Sequence, residues 1–263
     1  MAQSAGLSQL RAPMLNPLRA LGKSLRDLFD EFLLMAVCNL LWAVLSTPLW
    51  WVALLPLLQG AWLPAIAIAL LGVLPAGPAT AGLFYVAHKV TDGRAAKVAD
   101  FFTGMRQYAR PGWALMGVAT ASFLLISYNL SFYTGVGNLF GAIMLGLWLY
   151  GLIFWLGLLL YAPALVFLQE EPNLRLVARN AFLMALGRPI FTFLTLAMML
   201  AIVLLSVFLA VPIFIITVAL LAIWSVNAAR QLIDDSRRRR EAAEAKGAPT
   251  PEERGRKGQV RPK

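Results

Sequence analysis

The feature that most constrains this chain is a set of three long runs that contain no Asp, Glu, Lys or Arg. They cover residues 32–87, 113–169 and 189–229. Because a helix needs about 20 apolar residues to cross the hydrocarbon core of a bilayer, each run is long enough for two crossings. The pattern therefore predicts an all-α protein, a polytopic bundle of six transmembrane helices. The expected spans are residues 32–55, 62–88, 113–130, 139–168, 189–207 and 211–229.

The basic residues predict how this bundle is oriented. All 23 lysines and arginines lie in the four segments that precede, separate and follow the charge-free runs. If each run crosses the membrane twice, the four segments share one side, and the positive-inside rule assigns that side to the cytoplasm. The sequence thus predicts a multi-pass membrane protein with both termini in the cytoplasm.

The charged segments themselves predict interfacial helices and a disordered tail. Within the cytoplasmic segment 1–31, apolar residues recur at spacings of three and four, which is typical of a helix at the membrane surface. Residues 91–110 and 172–188 show similar amphipathic patterns, whereas residues 230–263 have the composition of a basic disordered tail. The residues expected to contact anionic lipid headgroups are Arg106, Arg110, Arg237, Arg238, Arg239 and Arg240.

Two prolines, Pro75 and Pro78, interrupt the second expected span. Each half is too short to cross alone, so the pattern predicts one broken helix or a re-entrant turn followed by a helix. Small residues follow the prolines and favour the close approach of a neighbouring helix. Because broken helices often surround substrates in transporters, this segment is the candidate for a pathway, although a structural proline kink or a loop near the interface is the favoured interpretation. The candidate residues are Pro75, Gly77, Pro78, Thr80 and Gly82.

Side chains that carry catalysis or bind metals are scarce. The single histidine, His88, falls at the end of a span, where an interfacial role is expected, and no acidic residue is predicted at membrane depth to form a triad with it. One histidine and one cysteine, Cys38, do not suffice for a His/Cys metal cage. We therefore predict no catalytic residue, no cofactor and no metal site. Polar residues inside the spans are expected mainly to join helices by hydrogen bonds; they are Asn39, Thr80, Tyr85, Ser122, Ser127, Tyr150 and Tyr161.

Five short motifs are shared with one known family. They read NLLW at 39–42, GPATAGLFYVA at 77–87, DFF at 100–102, YAPALVF at 161–167 and RNAFLMA at 179–185. With them, residues 20–233 resemble the YesL family, bacterial integral membrane proteins also catalogued as domain of unknown function 624. The family usually joins its first span to the GPAT segment by a short connection, whereas here apolar residues 48–73 lie between them. The resemblance implies a bacterial inner (cell) membrane and, since members tend to accompany carbohydrate-utilisation genes, an accessory role in sugar uptake or sensing.

The predicted function is that of an integral membrane protein of unknown activity, a non-enzymatic accessory to carbohydrate or solute transport or sensing. The expected partners are the lipid bilayer, anionic lipid headgroups and a membrane transport or sensor protein, and nucleic acid is not expected. One alternative is a small transporter or channel whose pathway is lined by residues 75–78. A second alternative is a membrane enzyme acting on a lipid substrate, for which the loop residues Asp92, Arg94 and Asp100 are the candidates.

Overall fold

The computed structural model describes residues 16–169, 173–209 and 212–245, and these residues form helices and their connections, without a strand. In chain order the helices are α1 (Pro17–Asp30), α2 (Phe32–Ser46), α3 (Pro48–Leu58), α4 (Trp62–Thr91), α5 (Val98–Gln107), α6 (Ala109–Thr134), α7 (Leu139–Leu168), α8 (Leu174–Gly187), α9 (Pro189–Leu209), a π-helical turn (Ile213–Thr217) and α10 (Val218–Ala245). The predicted all-α architecture is thereby confirmed for this part of the chain. The predictions for residues 1–15 and for the end of the tail, residues 246–263, lie outside the described residues.

Several of these helices are long and apolar enough to cross a membrane. Among the described residues there are five: α4, α6, α7, α9 and the helix that runs from the π-helical turn into α10. A sixth span results if α1 and α2, which meet at 95°, are counted together as one broken span. The chain is therefore a multi-pass membrane protein with five or six spanning helices in its described part.

α1 is the helix that was predicted at the membrane surface. Asn16 caps its N-terminus by accepting a hydrogen bond from the backbone N–H of Leu18 at 2.9 Å. The residues that face the bundle and are buried are Ala20, Ser24 and Leu28. Leu18 and Phe29 remain 64% and 69% exposed. An exposed apolar edge on a helix nearly perpendicular to the next one suits a position along the lipid interface.

The first crossing differs from the prediction. Instead of one helix over residues 32–55, the chain forms two helices, α2 and α3, separated at Thr47. Proline has no N–H and favours the first position of a helix, which explains why α3 begins at Pro48. The Thr47 hydroxyl donates to the carbonyl of Ala43 at 2.8 Å and closes the end of α2.

α2 and α3 together run antiparallel to α4. The indole of Trp42 on α2 donates to the hydroxyl of Thr80 at 3.0 Å, while Trp50 on α3 packs against Gly72, nearer the start of α4. α2 has 15 residues, which corresponds to about 22 Å and is shorter than the hydrocarbon core of about 30 Å. α3 continues along α4 for a further 11 residues.

Polar contacts bring the charged segments of the chain together at one end of the bundle, which we call the basic end. The contacts join Lys23 to Asn227 (2.7 Å), Asp92 to Arg230, and Arg188 to Asp235 (2.6 Å). They connect the segment before α2, the loop after α4, the corner between α8 and α9, and α10. The segments that flank the charge-free runs therefore meet at the basic end.

The last helix continues farther than predicted. α10 extends to Ala245, whereas the tail was expected to be disordered from residue 230 onward. Residues 237–245 consist of Arg, Glu and Ala, which are strong helix formers, and Arg239 donates to Asp235 one turn earlier at 2.9 Å. The four arginines 237–240 therefore lie on an exposed helix.

The π-helical turn at the start of the last span is stabilised by side chains. A π turn departs from the regular α-helical hydrogen-bond pattern and leaves backbone groups to be satisfied otherwise. The carboxamide oxygen of Asn39 on α2 accepts from the backbone N–H of Ala219 at 2.7 Å, and the hydroxyl of Thr217 donates to the carbonyl of Pro212 at 3.0 Å. Asn39 therefore holds α2 against the first turn of α10.

Candidate functional site

The candidate pathway around Pro75 and Pro78 lies in the middle of α4, which is helical without interruption. The predicted break or re-entrant turn is therefore not formed. Pro78 has no N–H to offer the carbonyl of Leu74, four residues earlier. The indole N–H of Trp113 on α6 donates to this carbonyl at 2.8 Å instead. A neighbouring helix thus supplies the hydrogen bond that the proline removes, and the helix continues.

The glycines of this segment let other helices approach closely, as their small size predicted. A Cβ atom placed on Gly112 of α6 would lie only 2.5 Å from the carbonyl oxygen of Gly77. One turn and a half further along α4, a Cβ atom on Gly82 would lie 2.5 Å from the carbonyl oxygen of Phe101 on α5. At both places the space beside α4 is filled by the backbone of another helix.

A groove of about 210 Å³ lies next to this segment, between α4, α6 and α7. Its walls include Thr80 and Phe84 of α4, Met116 and Ala119 of α6, and Leu159 and Phe167 of α7. Thr80 carries the one polar side chain among the described residues that line the groove, and its hydroxyl already accepts the hydrogen bond from Trp42. The groove is therefore suited to an apolar occupant.

Three of the other six polar residues predicted inside the spans contact a neighbouring helix. Tyr161 of α7 and Thr192 of α9 share a hydrogen bond of 2.9 Å between their hydroxyls, and Asn39 joins α2 to α10. The ring of Tyr85 lies 5.8 Å from that of Tyr108, measured between centroids. The remaining three, on α6 and α7, are half-buried or exposed: Ser122, Ser127 and Tyr150.

His88 lies in an ionic cluster at the basic end. Its Nε2 is 3.4 Å from the carboxylate of Asp92, and its Nδ1 is 3.1 Å from the guanidinium of Arg230. Arg230 also contacts Asp92 and donates to the carbonyl of Thr91 at 3.0 Å. Arg94 pairs with the same carboxylate at 2.6 Å. The carboxylate that lies against the imidazole is thus one helical turn further along the chain, at the C-terminal end of α4.

The carboxylate of Asp92 is held by cationic neighbours. Burial raises its pKa, but His88 and the two arginines outweigh this effect, so the pKa lies below its usual value. A carboxylate that is already shared by two guanidinium groups is a poor base. We interpret the cluster as a clamp that connects the end of α4 to α10 through Arg230.

Asp100 stabilises the start of α5. Its carboxylate accepts a hydrogen bond from the ammonium group of Lys89 at 2.8 Å and one from the backbone N–H of Lys97 at 2.7 Å. The bond from Lys89 is the largest effect that holds the pKa of Asp100 below its usual value, although burial opposes it. The residues predicted for a lipid enzyme, Asp92, Arg94 and Asp100, are therefore all engaged in ion pairs.

The lowered pKa of Asp100 predicts a loss of stability in acid. The carboxylate stabilises the folded state above its unfolded pKa of about 4, and this contribution is lost as the pH falls through the lower pKa of the folded state. Asp100→Asn should therefore reduce the unfolding free energy at pH 7, and its difference from the wild type should shrink below about pH 4. Unfolding titrations at both pH values measure this. The control is Asp30→Asn, at an exposed carboxylate without an ion pair to a described residue; equal behaviour of the two variants would contradict the prediction.

The arginines predicted to contact lipid are exposed at the basic end. Arg106 lies on α5 and Arg110 in the first turn of α6, and neither forms an ion pair with a described residue. Of the four arginines on α10, Arg239 pairs with Asp235. Arg106 and Arg110 are therefore available to an external anion.

No family model, no curated protein and no solved structure matches this chain. The resemblance to the YesL family therefore stays a prediction that rests on its motifs. Two residues that organise the region around α4 were not predicted to do so: Trp113 and Arg230. Trp113 begins one charge-free run and Arg230 follows another. In the sequence these positions indicate how deep the two residues lie, but not which residues they contact.

Proposed function

We propose that the protein is a non-enzymatic accessory component of a bacterial cell membrane, associated with the transport or sensing of a solute such as a carbohydrate. In this proposal the basic end faces the cytoplasm, in keeping with the positive-inside rule. Membership of the YesL family is part of the same proposal, carried by the GPATAGLFYVA motif of α4.

The observation that supports the accessory role is the packing of the predicted pathway. The backbone of α4 meets that of α6 at Gly77 and that of α5 at Gly82, and the carbonyl freed by Pro78 is satisfied by Trp113. Pathways for polar solutes are lined by unwound backbone or by polar groups that replace water. This segment is closely packed, and the groove beside it is apolar, so a transporter of polar solutes is the less favoured function.

The enzyme alternative is disfavoured because its candidate residues are already engaged in ion pairs. A general base has to be available to its substrate and to have a pKa near the operating pH. Asp92 and Asp100 are instead bound by cationic side chains, and their pKa values are lowered. Both carboxylates thus serve the attachment of the loop after α4.

The test combines purification and transport. The tagged protein is isolated from membranes of its own bacterium in a mild detergent, with untagged cells as the control, and the retained proteins are quantified by mass spectrometry. We expect a stoichiometric membrane transporter or sensor. In parallel, the purified protein in liposomes should take up labelled monosaccharides and disaccharides no faster than empty liposomes do. Uptake above that background, or isolation of the protein without any stoichiometric partner, would reject the accessory role.

A further inference from the structure

The groove between α4, α6 and α7 lies close to the basic end of the bundle. On α6 its wall begins at Gly112, two residues after Arg110, and continues to Ala119. With a rise of 1.5 Å per residue, this wall is about 10 Å long. On α7 the wall ends at Phe167, next to the last residue of the helix. The groove therefore extends from the membrane surface at the basic end into the adjoining leaflet.

The lining determines what can occupy the groove. A trapped water molecule needs two to four polar partners, and the described lining offers the Thr80 hydroxyl, which is already bonded to Trp42. The apolar group that a bilayer supplies at this depth is an acyl chain. A cavity of about 150 Å³ admits one benzene molecule, so 210 Å³ suits a segment of a single chain.

The charges beside the groove indicate the headgroup of this lipid. Lys89 and Arg94 already have carboxylate partners, and Lys97 immediately precedes α5. Arg106 and Arg110 are exposed and form no ion pair with a described residue. Between them, the ring of Tyr108 packs on Phe167 in the groove wall, with 4.7 Å between ring centroids. The two unpaired guanidinium groups thus flank the end of the groove that reaches the surface.

We propose that this groove binds one acyl chain of an anionic phospholipid from the leaflet at the basic end, with Arg110 and Arg106 contacting its phosphate. The chain lies along α6, and the phosphate replaces the carboxylate that these arginines lack in the described part of the protein. The site goes beyond general lipid contact because it selects both an apolar chain and a negative headgroup. It does not depend on the proposed accessory role.

The test measures lipid binding to the full-length protein by native mass spectrometry. The probes are phosphatidylglycerol and phosphatidylcholine with identical acyl chains. Ala119→Phe fills the groove, so the acyl chain should lose the burial of about two methylene groups. Phosphatidylglycerol binding should therefore weaken about tenfold. The matched control is Ala121→Phe, which makes the same change at an exposed position on the same helix, and it should bind like the wild type.

A second pair of variants tests the headgroup. Arg110→Gln should reduce the preference for phosphatidylglycerol over phosphatidylcholine about fivefold, while Arg179→Gln, at an exposed arginine of α8, should leave it unchanged.

Leu159→Trp fills the groove from α7 and replaces Ala119→Phe if that variant does not fold. The proposal is overturned if the groove-filling variant binds phosphatidylglycerol like its control, or if Arg110→Gln and Arg179→Gln show the same preference. Recovery of an uncharged apolar molecule in place of phospholipid would also overturn it.

Discussion

Gly112→Ala is expected to lower the free energy of unfolding by about 2 kcal/mol, within the range of about 1–3 kcal/mol for overpacking a tight contact. The added Cβ would lie 2.5 Å from the carbonyl oxygen of Gly77 and 3.2 Å from the Cβ of Ala81. A backbone oxygen cannot rotate aside as the end of a side chain can, so α4 and α6 have to move apart. This movement would also strain the hydrogen bond from Trp113 to Leu74. The better helix propensity of alanine offsets at most about 1 kcal/mol.

The measurement is reversible unfolding by sodium dodecyl sulfate in mixed micelles, followed by far-ultraviolet circular dichroism. Gly146→Ala on α7 is the matched control, since a Cβ at that glycine would meet nothing within 4 Å. The control should be neutral or slightly stabilising because it gains helix propensity without a clash. If both variants had the same unfolding free energy, the contact between α4 and α6 would not be as close as described.

Arg230→Met should destabilise the fold by about 2 kcal/mol, within the range of about 1.5–3 kcal/mol for hydrogen bonds to charged groups. The guanidinium contacts Asp92 and His88 and donates to the carbonyl of Thr91, and its side chain is only 22% exposed. Methionine preserves much of the apolar stem but removes all three interactions. The end of α4 would then lose its polar attachment to α10, although Arg94 still neutralises Asp92 in part.

The same unfolding assay checks this prediction, with Arg239→Met as the control. Arg239 is 65% exposed and pairs with Asp235 on its own helix, so its removal should cost at most about 0.5 kcal/mol. Combining Arg230→Met with Asp92→Asn should cost less than the sum of the two single changes, because the residues share one interaction. Strict additivity, or equal effects of Arg230→Met and Arg239→Met, would show that the cluster does not connect the two helices.

Much of the fold could be predicted because charges are costly in lipid. An ionised side chain at the centre of a bilayer is strongly disfavoured, so the charge-free runs had to contain the spans. The fourth predicted span, residues 139–168, coincides with α7 (Leu139–Leu168), and the second, 62–88, lies within α4 (Trp62–Thr91). The amphipathic segments were predictable as well, and they form α1, α5 and α8. Each has an apolar face that suits lipid and a polar face that suits water.

The candidate site could be predicted only in part. The glycines after Pro75 indicated a close contact by their size, but nothing near them in the sequence shows that Trp113 provides the missing hydrogen bond. A proline interrupts a helix when its freed carbonyl has no other donor, and here that donor comes from another helix. The predicted break at residues 75–78 was wrong for this reason.

The sequence by itself determined which segments enter the membrane, that the charged segments lie outside it, and where small residues permit close packing, because these properties depend on transfer free energies and side-chain volumes. Only the tertiary structure decided whether α4 is continuous, which basic residues are paired, and where an apolar groove is left open. Those outcomes depend on hydrogen bonds and ion pairs between residues far apart in the chain, such as Trp113 with Leu74 and Arg230 with Asp92. They exist only after the helices have packed.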